Sequence, residues 1–155
     1  MSLRKSVFIT VFIFLFSAAG FAQTDSKTKT VQIAAKQIAQ AVKFSPAYAE
    51  LLLRKTEREA ELEEFLLDYT DEFPKVKEIK FELGILQKQL EKVSAVSASD
   101  APKLSLALGK LLVRKTELEV DLWNLLKQYN ADHPEVKRAK RKIEVYENAV
   151  REILP

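Results

Sequence analysis

The stretch Leu-Leu-Leu-Arg-Lys-Thr-Glu at residues 51–57 returns sixty residues later as Leu-Leu-Val-Arg-Lys-Thr-Glu at residues 111–117. The match continues without gaps, and 14 of the 30 residues in 51–80 are identical to their partners in 111–140. Two unrelated amphipathic helices share a polar and apolar pattern, but they do not share this many residue identities. The sequence therefore predicts one structural unit that occurs twice.

The sequence pattern of each copy predicts a helical hairpin. Apolar residues follow the 4-3 spacing of a heptad before and after Pro134, and the same spacing follows Pro74. An apolar stripe of this kind must be buried against another helix, and short turns join antiparallel neighbours. In the second copy the stripes contain Leu104, Leu108, Leu111, Leu118, Leu122, Leu125 and Tyr129, and then Val136, Ala139, Ile143, Tyr146, Val150 and Ile153.

We predict an all-α fold of two tandem antiparallel helical hairpins, preceded by a short N-terminal helix. The hairpins either fold on each other as a four-helix bundle or form an extended antiparallel coiled coil, and the sequence leaves both arrangements open. The predicted segments are a signal peptide (1–22), a lead-in with the short helix (23–46), the first hairpin (47–93), a linker (94–101) and the second hairpin (102–155).

Proline predicts where the long helices begin, because its missing N–H costs nothing in the first turn. The predicted starts are Ser45-Pro46, Phe73-Pro74, Asp100-Ala101-Pro102 and His133-Pro134.

The N-terminus has the layout of a secretory signal peptide. Arg4 and Lys5 precede an apolar run over residues 7–16, and small residues follow up to Ala22. We predict cleavage before Gln23, export to the periplasm or the extracellular space, and no membrane span afterwards. The alternative is a retained membrane anchor, but the sixteen residues 7–22 are shorter than the roughly 20 that span a bilayer.

Composition argues against several classes of function. Three glycines do not suffice for a phosphate-binding loop, and the absence of cysteine excludes disulfides and thiolate chemistry. A single histidine cannot build a multi-histidine metal site. The predicted mature chain has 23 basic and 22 acidic residues. We therefore expect no enzyme, no cofactor, no metal and no nucleic-acid partner.

The repeated Arg-Lys-Thr-Glu motif is the first candidate interaction site. It could form a polar layer that sets helix register or a docking surface, and the alternatives are exposed ion pairs or a ligand site. Its residues are Arg54, Lys55, Thr56 and Glu57 in the first copy, and Arg114, Lys115, Thr116 and Glu117 in the second.

Two other features are candidate contact residues. Trp123 is expected either at the edge of the core or as an anchor for a partner. A basic cluster that includes Lys137, Arg138 and Arg141 is expected to be a solvated helix face, or else to hold anionic polysaccharide or lipid headgroups, nucleic acid being unlikely for an exported protein.

The two copies differ in charge. Residues 47–93 contain 8 basic and 12 acidic side chains, whereas residues 107–155 contain 10 basic and 8 acidic side chains. Opposite net charges favour docking of one copy on the other, within a chain or between chains.

The corner at residues 129–136 reads Tyr-Asn-Ala-Asp-His-Pro-Glu-Val and resembles a known pattern. It is similar to the periplasmic coiled-coil hairpin of bacterial polysaccharide chain-length determinant and exporter-associated proteins. The first copy keeps Tyr69, Pro74 and Val76 but has Phe73 in the place of the histidine. The resemblance implies a hairpin of the bacterial envelope.

From these features we expect a non-enzymatic scaffold or adaptor of the bacterial cell envelope that acts through coiled-coil helix pairing. Its expected partner is another copy of itself or another envelope protein. The alternative is a small periplasmic holdase-type chaperone.

Overall fold

The computed structural model describes Gln37 and residues 40–154. This part of the chain is helical and contains no strand, which confirms the predicted all-α fold. Its long helices are α1 (Pro46–Asp68), α2 (Pro74–Ser94), α3 (Leu106–Leu126) and α4 (Pro134–Ile153). The predicted signal peptide and most of the predicted lead-in lie outside the described residues, although residues 40–43 are helical.

Three of the four helices begin at a proline as the sequence predicted. Pro46, Pro74 and Pro134 each occupy the first turn of their helix. Ser45 caps α1, because its Oγ accepts a hydrogen bond from the backbone N–H of Tyr48 at 3.3 Å. The turns between paired helices are short, so each pair is antiparallel.

The predicted start of α3 at Asp100-Ala101-Pro102 is wrong. Ala101–Lys103 form a separate 3-10 turn, and Leu104 then leaves the helical region. Ser105 caps α3 instead, with its Oγ accepting from the N–H of Leu108 at 3.3 Å. Ser105 lies sixty residues after Ser45, so the helix begins at the capping serine of the repeat and not at the nearest proline.

Within each hairpin the apolar stripes lie against each other. In α2 the side chains of Val76, Ile79 and Leu86 are buried, and in α4 those of Val136 and Ile143 are buried. The stripes interlock because the 4-3 spacing keeps one face of each helix towards its partner. The structure thus confirms two helical hairpins.

The second hairpin stacks on the first through α3. A Cβ added at Gly109 would lie 2.9 Å from the Cα of Ala47, and further along Arg54 reaches Glu117. Helices α1 and α3 therefore run parallel, in a register close to the 60-residue offset. The N–H of Ala47 also donates to the carbonyl of Leu104 at 3.2 Å.

The arrangement is a stack of two repeats. Helix α3 contacts α1, α2 and α4, whereas α4 packs mainly on α3. One core joins the repeats, and its largest fully buried side chains include Leu51, Leu86 and Leu108 from three different helices. Of the two arrangements that the sequence left open, the chain has its hairpins folded on each other, as successive units are in a repeat protein.

Candidate interaction surface

Arg54 connects three helices. Its guanidinium donates from Nε to Glu82 of α2 at 2.8 Å, and its Nη2 lies 3.5 Å from Glu117 of α3. Glu57, one turn further along α1, lies 3.8 Å away. The side chain of Glu82 is only 6% exposed, so Arg54 supplies the charge that this buried carboxylate needs.

The equivalent residue of the second repeat has a different environment. The side chain of Arg114 is 53% exposed, and it pairs with Glu117 of its own helix at 2.6 Å. The hydrogen bond from Arg114 to Glu117 raises the pKa of this guanidinium further above its usual value. Arg114 therefore lies on an open surface, whereas Arg54 lies at the junction of three helices.

The lysine of the motif is also used differently in the two repeats. Lys115 is buried, and its Nζ lies 3.2 Å from Glu147 of α4 as well as pairing with Glu119. Lys55 is half-buried and pairs with Glu59 on its own helix. Lys115 thus gives the α3–α4 stripe a polar position, and its role in register stays a prediction.

The motif threonines share a local bond and differ in burial. The hydroxyls of Thr56 and Thr116 donate to the carbonyls of Leu52 and Leu112 at 2.9 Å and 3.0 Å. Thr116 is fully buried, whereas Thr56 is exposed. The same face of the helix is therefore covered in α3 and open in α1.

A polar contact links α2 to α3. The side-chain amide of Asn124 donates to Glu78 at 2.6 Å, and Lys75 donates to the same carboxylate at 2.7 Å. Burial raises the pKa of Glu78, but the hydrogen bonds from Lys75 and Asn124 outweigh it, so that this pKa lies below its ordinary value. The hydrogen bond to Glu78 correspondingly raises the pKa of Lys75.

Trp123 lies at the seam between the repeats. Its indole stacks on the ring of Phe81 in α2, with centroids 4.7 Å apart and planes 10° from parallel. The Nζ of Lys127 lies 3.0 Å from the indole centroid on the same helix. Trp123 is therefore an internal anchor of the second repeat on the first, in agreement with the predicted position at the core edge.

The open face of α1 is acidic with apolar patches, and we refer to it as the acidic face. Its small residues Ala49, Thr56 and Ala60 are exposed. The equivalent residues of the second repeat, which are Gly109, Thr116 and Val120, are buried against the first repeat. The acidic face also contains the exposed side chains of Leu52, Leu53, Glu57, Glu63, Glu64 and Leu67.

The second repeat has an open surface of the opposite charge, which we refer to as the basic face. It lies along α3 and α4 at the positions that correspond to the contact surface of the first repeat. Its exposed residues are Lys110, Arg114, Arg138, Arg141, Lys142 and Val145. An open groove of about 400 Å³ runs along it, with Asp121 and Gln128 on the α3 side and Glu135, Arg138 and Lys142 on the α4 side.

Lys137 is exposed beside the basic face, and it lies 3.2 Å from Asp132. Arg138 is held by Glu135 at 2.5 Å, and its side chain remains 71% exposed. Of the predicted basic cluster, Arg138 and Arg141 therefore lie on the basic face and Lys137 lies next to it.

The two corners have the same construction. Tyr69 stacks on Phe73 and Tyr129 stacks on His133, with ring centroids 4.0 Å apart in both cases. The Nδ1 of His133 accepts a hydrogen bond from the N–H of Glu135 at 3.3 Å, which caps α4. His133 is thus a structural turn residue, and phenylalanine can replace it in the first repeat.

In residues 40–154 no three acidic or histidine side chains converge as metal ligands would. No helix in this part of the chain is both long and apolar enough to cross a bilayer.

Comparison with known proteins gives no relative. No family model matches this chain, and no curated protein or solved structure shows significant similarity to it. The surfaces of the chain itself are therefore the basis for a proposed function.

Several important residues were not predicted from the sequence. Glu78, Phe81, Glu82 and Gly109 complete the contact between the repeats, yet none is identical in its equivalent position. No sequence signal singles them out, because 16 of the 30 aligned positions in 51–80 differ and Phe81, Glu82 and Gly109 lie outside the aligned stretches.

Proposed function

We propose that the chain is a non-enzymatic scaffold or adaptor of the cell envelope that works by pairing its helices with a partner. The observation that supports it most is the acidic face of α1. In α3 the corresponding face is buried against the first repeat, so this kind of surface is suited to helix packing. Leu53 and Leu67 are 58% and 84% exposed there and, with Leu52, form apolar surface that a partner helix would bury.

The location of this function depends on the N-terminal sequence. The charged, apolar and small-residue layout of residues 1–22 supports export. The corner at Tyr129 and His133 supports the envelope through its resemblance to periplasmic hairpins.

A holdase-type chaperone is the second candidate. Phe44 is 85% exposed, and exposed apolar side chains are also found on other surfaces, such as Val145 on α4. Scattered apolar groups of this kind would suit many unfolded clients instead of one partner.

A crosslinking experiment in intact cells of the native host separates these functions. A photoreactive residue replaces Thr56 on the acidic face of the full-length chain, and a control carries it at exposed Lys77 on α2. An adaptor gives one product of fixed mass from position 56 and none from position 77. A smear of unrelated exported proteins favours the chaperone, and no product from either position contradicts both.

A further inference from the structure

We propose that the partner is a second copy of this chain, docked head to tail, with the acidic face of one copy on the basic face of the next. This inference rests on the proposed function and names its partner. It follows from the internal repeat, because the contact between the repeats of one chain shows how the second repeat of one copy can receive the first repeat of another.

The first correspondence concerns the charged junction. Within the chain, Arg54 of the first repeat contacts Glu117 of the second. A shift of both contact partners by one repeat places Arg114 of one copy against Glu57 of the next. Both side chains are exposed and keep the same pair of charges, so this ion pair can be repeated. The other partner of Arg54, Glu82, corresponds to Lys142, so Glu57 would meet two basic side chains there.

The second correspondence creates a new ion pair. Within the chain, Asn124 donates to Glu78 across the α2–α3 seam. The equivalent residues are Glu64 on α1 of the next copy and Arg138 on α4, which have opposite charges. An exposed carboxylate would therefore meet an exposed guanidinium.

The third correspondence replaces an aromatic stack by charges. The stacked pair Phe81 and Trp123 corresponds to Arg141 on α4 and Glu63 on α1 of the next copy. Both substituted residues are exposed in the single chain. Substitution on both sides of the same contact has thus again produced opposite charges, and this complementarity argues for a second copy as the occupant.

The groove on the basic face fits this occupant. In the first repeat the corresponding surface is where Asn124 of α3 meets Glu78. In the second repeat the groove beside Arg138 and Lys142 is open. Helix α1 of another copy would occupy the place that α3 occupies within the chain.

One position indicates that contact between copies is looser than contact within the chain. Gly109 lies so close to the first repeat that an added Cβ would be 2.8 Å from the Cβ of Glu50. Ala49 has that Cβ, so the copies must sit slightly further apart at this end. The association therefore depends more on charge, and added salt should weaken it.

Contact of this type joins two different surfaces and has no two-fold symmetry. Each copy uses one surface to dock and a different surface to receive, so association produces a ring or an open chain of copies and not a simple two-fold dimer.

The test is a charge exchange followed by sedimentation velocity of the mature chain over a range of concentrations. The first variant is Glu63→Arg with Glu64→Arg, and the second is Arg138→Glu with Arg141→Glu. Each variant alone should associate about tenfold or more weakly than the native chain. A mixture of the two should associate again, because each supplies the surface that complements the other.

The matched control is Lys137→Glu with Lys140→Glu, which makes the same charge change at two exposed lysines of α4 outside the basic face. It should leave association unchanged, and circular dichroism of every variant should show that the helices are retained. Larger assemblies that respond to the exchange as described support the inference.

A chain that is monomeric at all concentrations would overturn the inference, also if the reason is that the lead-in covers α1. A dimer whose association does not change with the charge exchange would overturn it as well. So would a control variant that loses as much association as the two charge variants. A monomer together with a discrete product of another protein from position 56 would leave the proposed function intact. A monomer with no crosslinked product at all would contradict both the inference and the proposed function.

Discussion

At the residue scale, identical residues of the repeat have different environments. Arg54 lies between three helices, whereas Arg114 lies on an open surface. The sequence predicted that the motif would matter for register or docking, and it could not distinguish the two copies. The difference arises because only the first copy has α3 stacked beside it.

Replacement of Arg54 by alanine should destabilise the fold, and the same change at Arg114 should not. Loss of Arg54 leaves the buried carboxylate of Glu82 without its guanidinium, which we expect to cost about 2–3 kcal/mol. Arg114→Ala removes an exposed pair worth about 0.5 kcal/mol or less. Urea unfolding at a concentration where the chain is monomeric measures both, and equal losses would contradict the assigned junction.

The two helical glycines allow a second comparison. Gly109→Ala should lower the free energy of unfolding by about 1–3 kcal/mol, because the new Cβ would collide with α1. Gly84 has nothing within 4 Å of an added Cβ, so Gly84→Ala should raise this free energy by about 0.5–1 kcal/mol through helix propensity. Two changes of the same sign in urea unfolding would show that α3 does not approach α1 this closely.

At the scale of the elements, the helices and corners were predictable and the contact between hairpins was not. The 4-3 spacing and the prolines are local signals, so Pro46, Pro74 and Pro134 located three helix starts correctly. The start of α3 was missed because Pro102 was preferred to Ser105. The α2–α3 seam involves pairs such as Glu78 and Asn124, which lie 46 residues apart and follow no period.

Glu78 at the seam should make stability fall as the pH drops below 4.5, the ordinary pKa of glutamate. The pKa of Glu78 is lowered, so its charged form favours the folded state, and the stability it contributes is present above pH 4.5 and lost as the pH falls through the folded pKa. Glu78→Gln should therefore flatten the acid branch of a plot of unfolding midpoint against pH. Glu72→Gln, an exposed carboxylate of the corner, is the control and should leave this branch as steep as in the native chain.

At the scale of the whole molecule, the shared core should make the two repeats unfold together. Leu51, Leu86 and Leu108 come from both hairpins and are fully buried in the same cluster. Unfolding of one hairpin would expose the core surface of the other, so neither is expected to persist alone.

The single tryptophan offers a direct test of this cooperativity. Trp123 stacks on Phe81 across the seam, so its fluorescence reports the contact between repeats, while far-ultraviolet circular dichroism reports all helices. The two signals should give one coincident transition in urea. If the fluorescence changes at a lower urea concentration than the helical signal, the repeats separate before they unfold.

The sequence alone determined that this chain forms two helical hairpins of the same design. Helix period, proline position and corner residues depend only on residues that are close in sequence. The same signals occur in both repeats. Only the tertiary structure decided which copies of the repeated faces are buried. Stacking of α3 on the first repeat covers Thr116 and leaves Thr56 open. The reason is that the contact between the repeats uses one surface of the first repeat and a different surface of the second. The acidic face of the first repeat and the basic face of the second repeat therefore stay exposed.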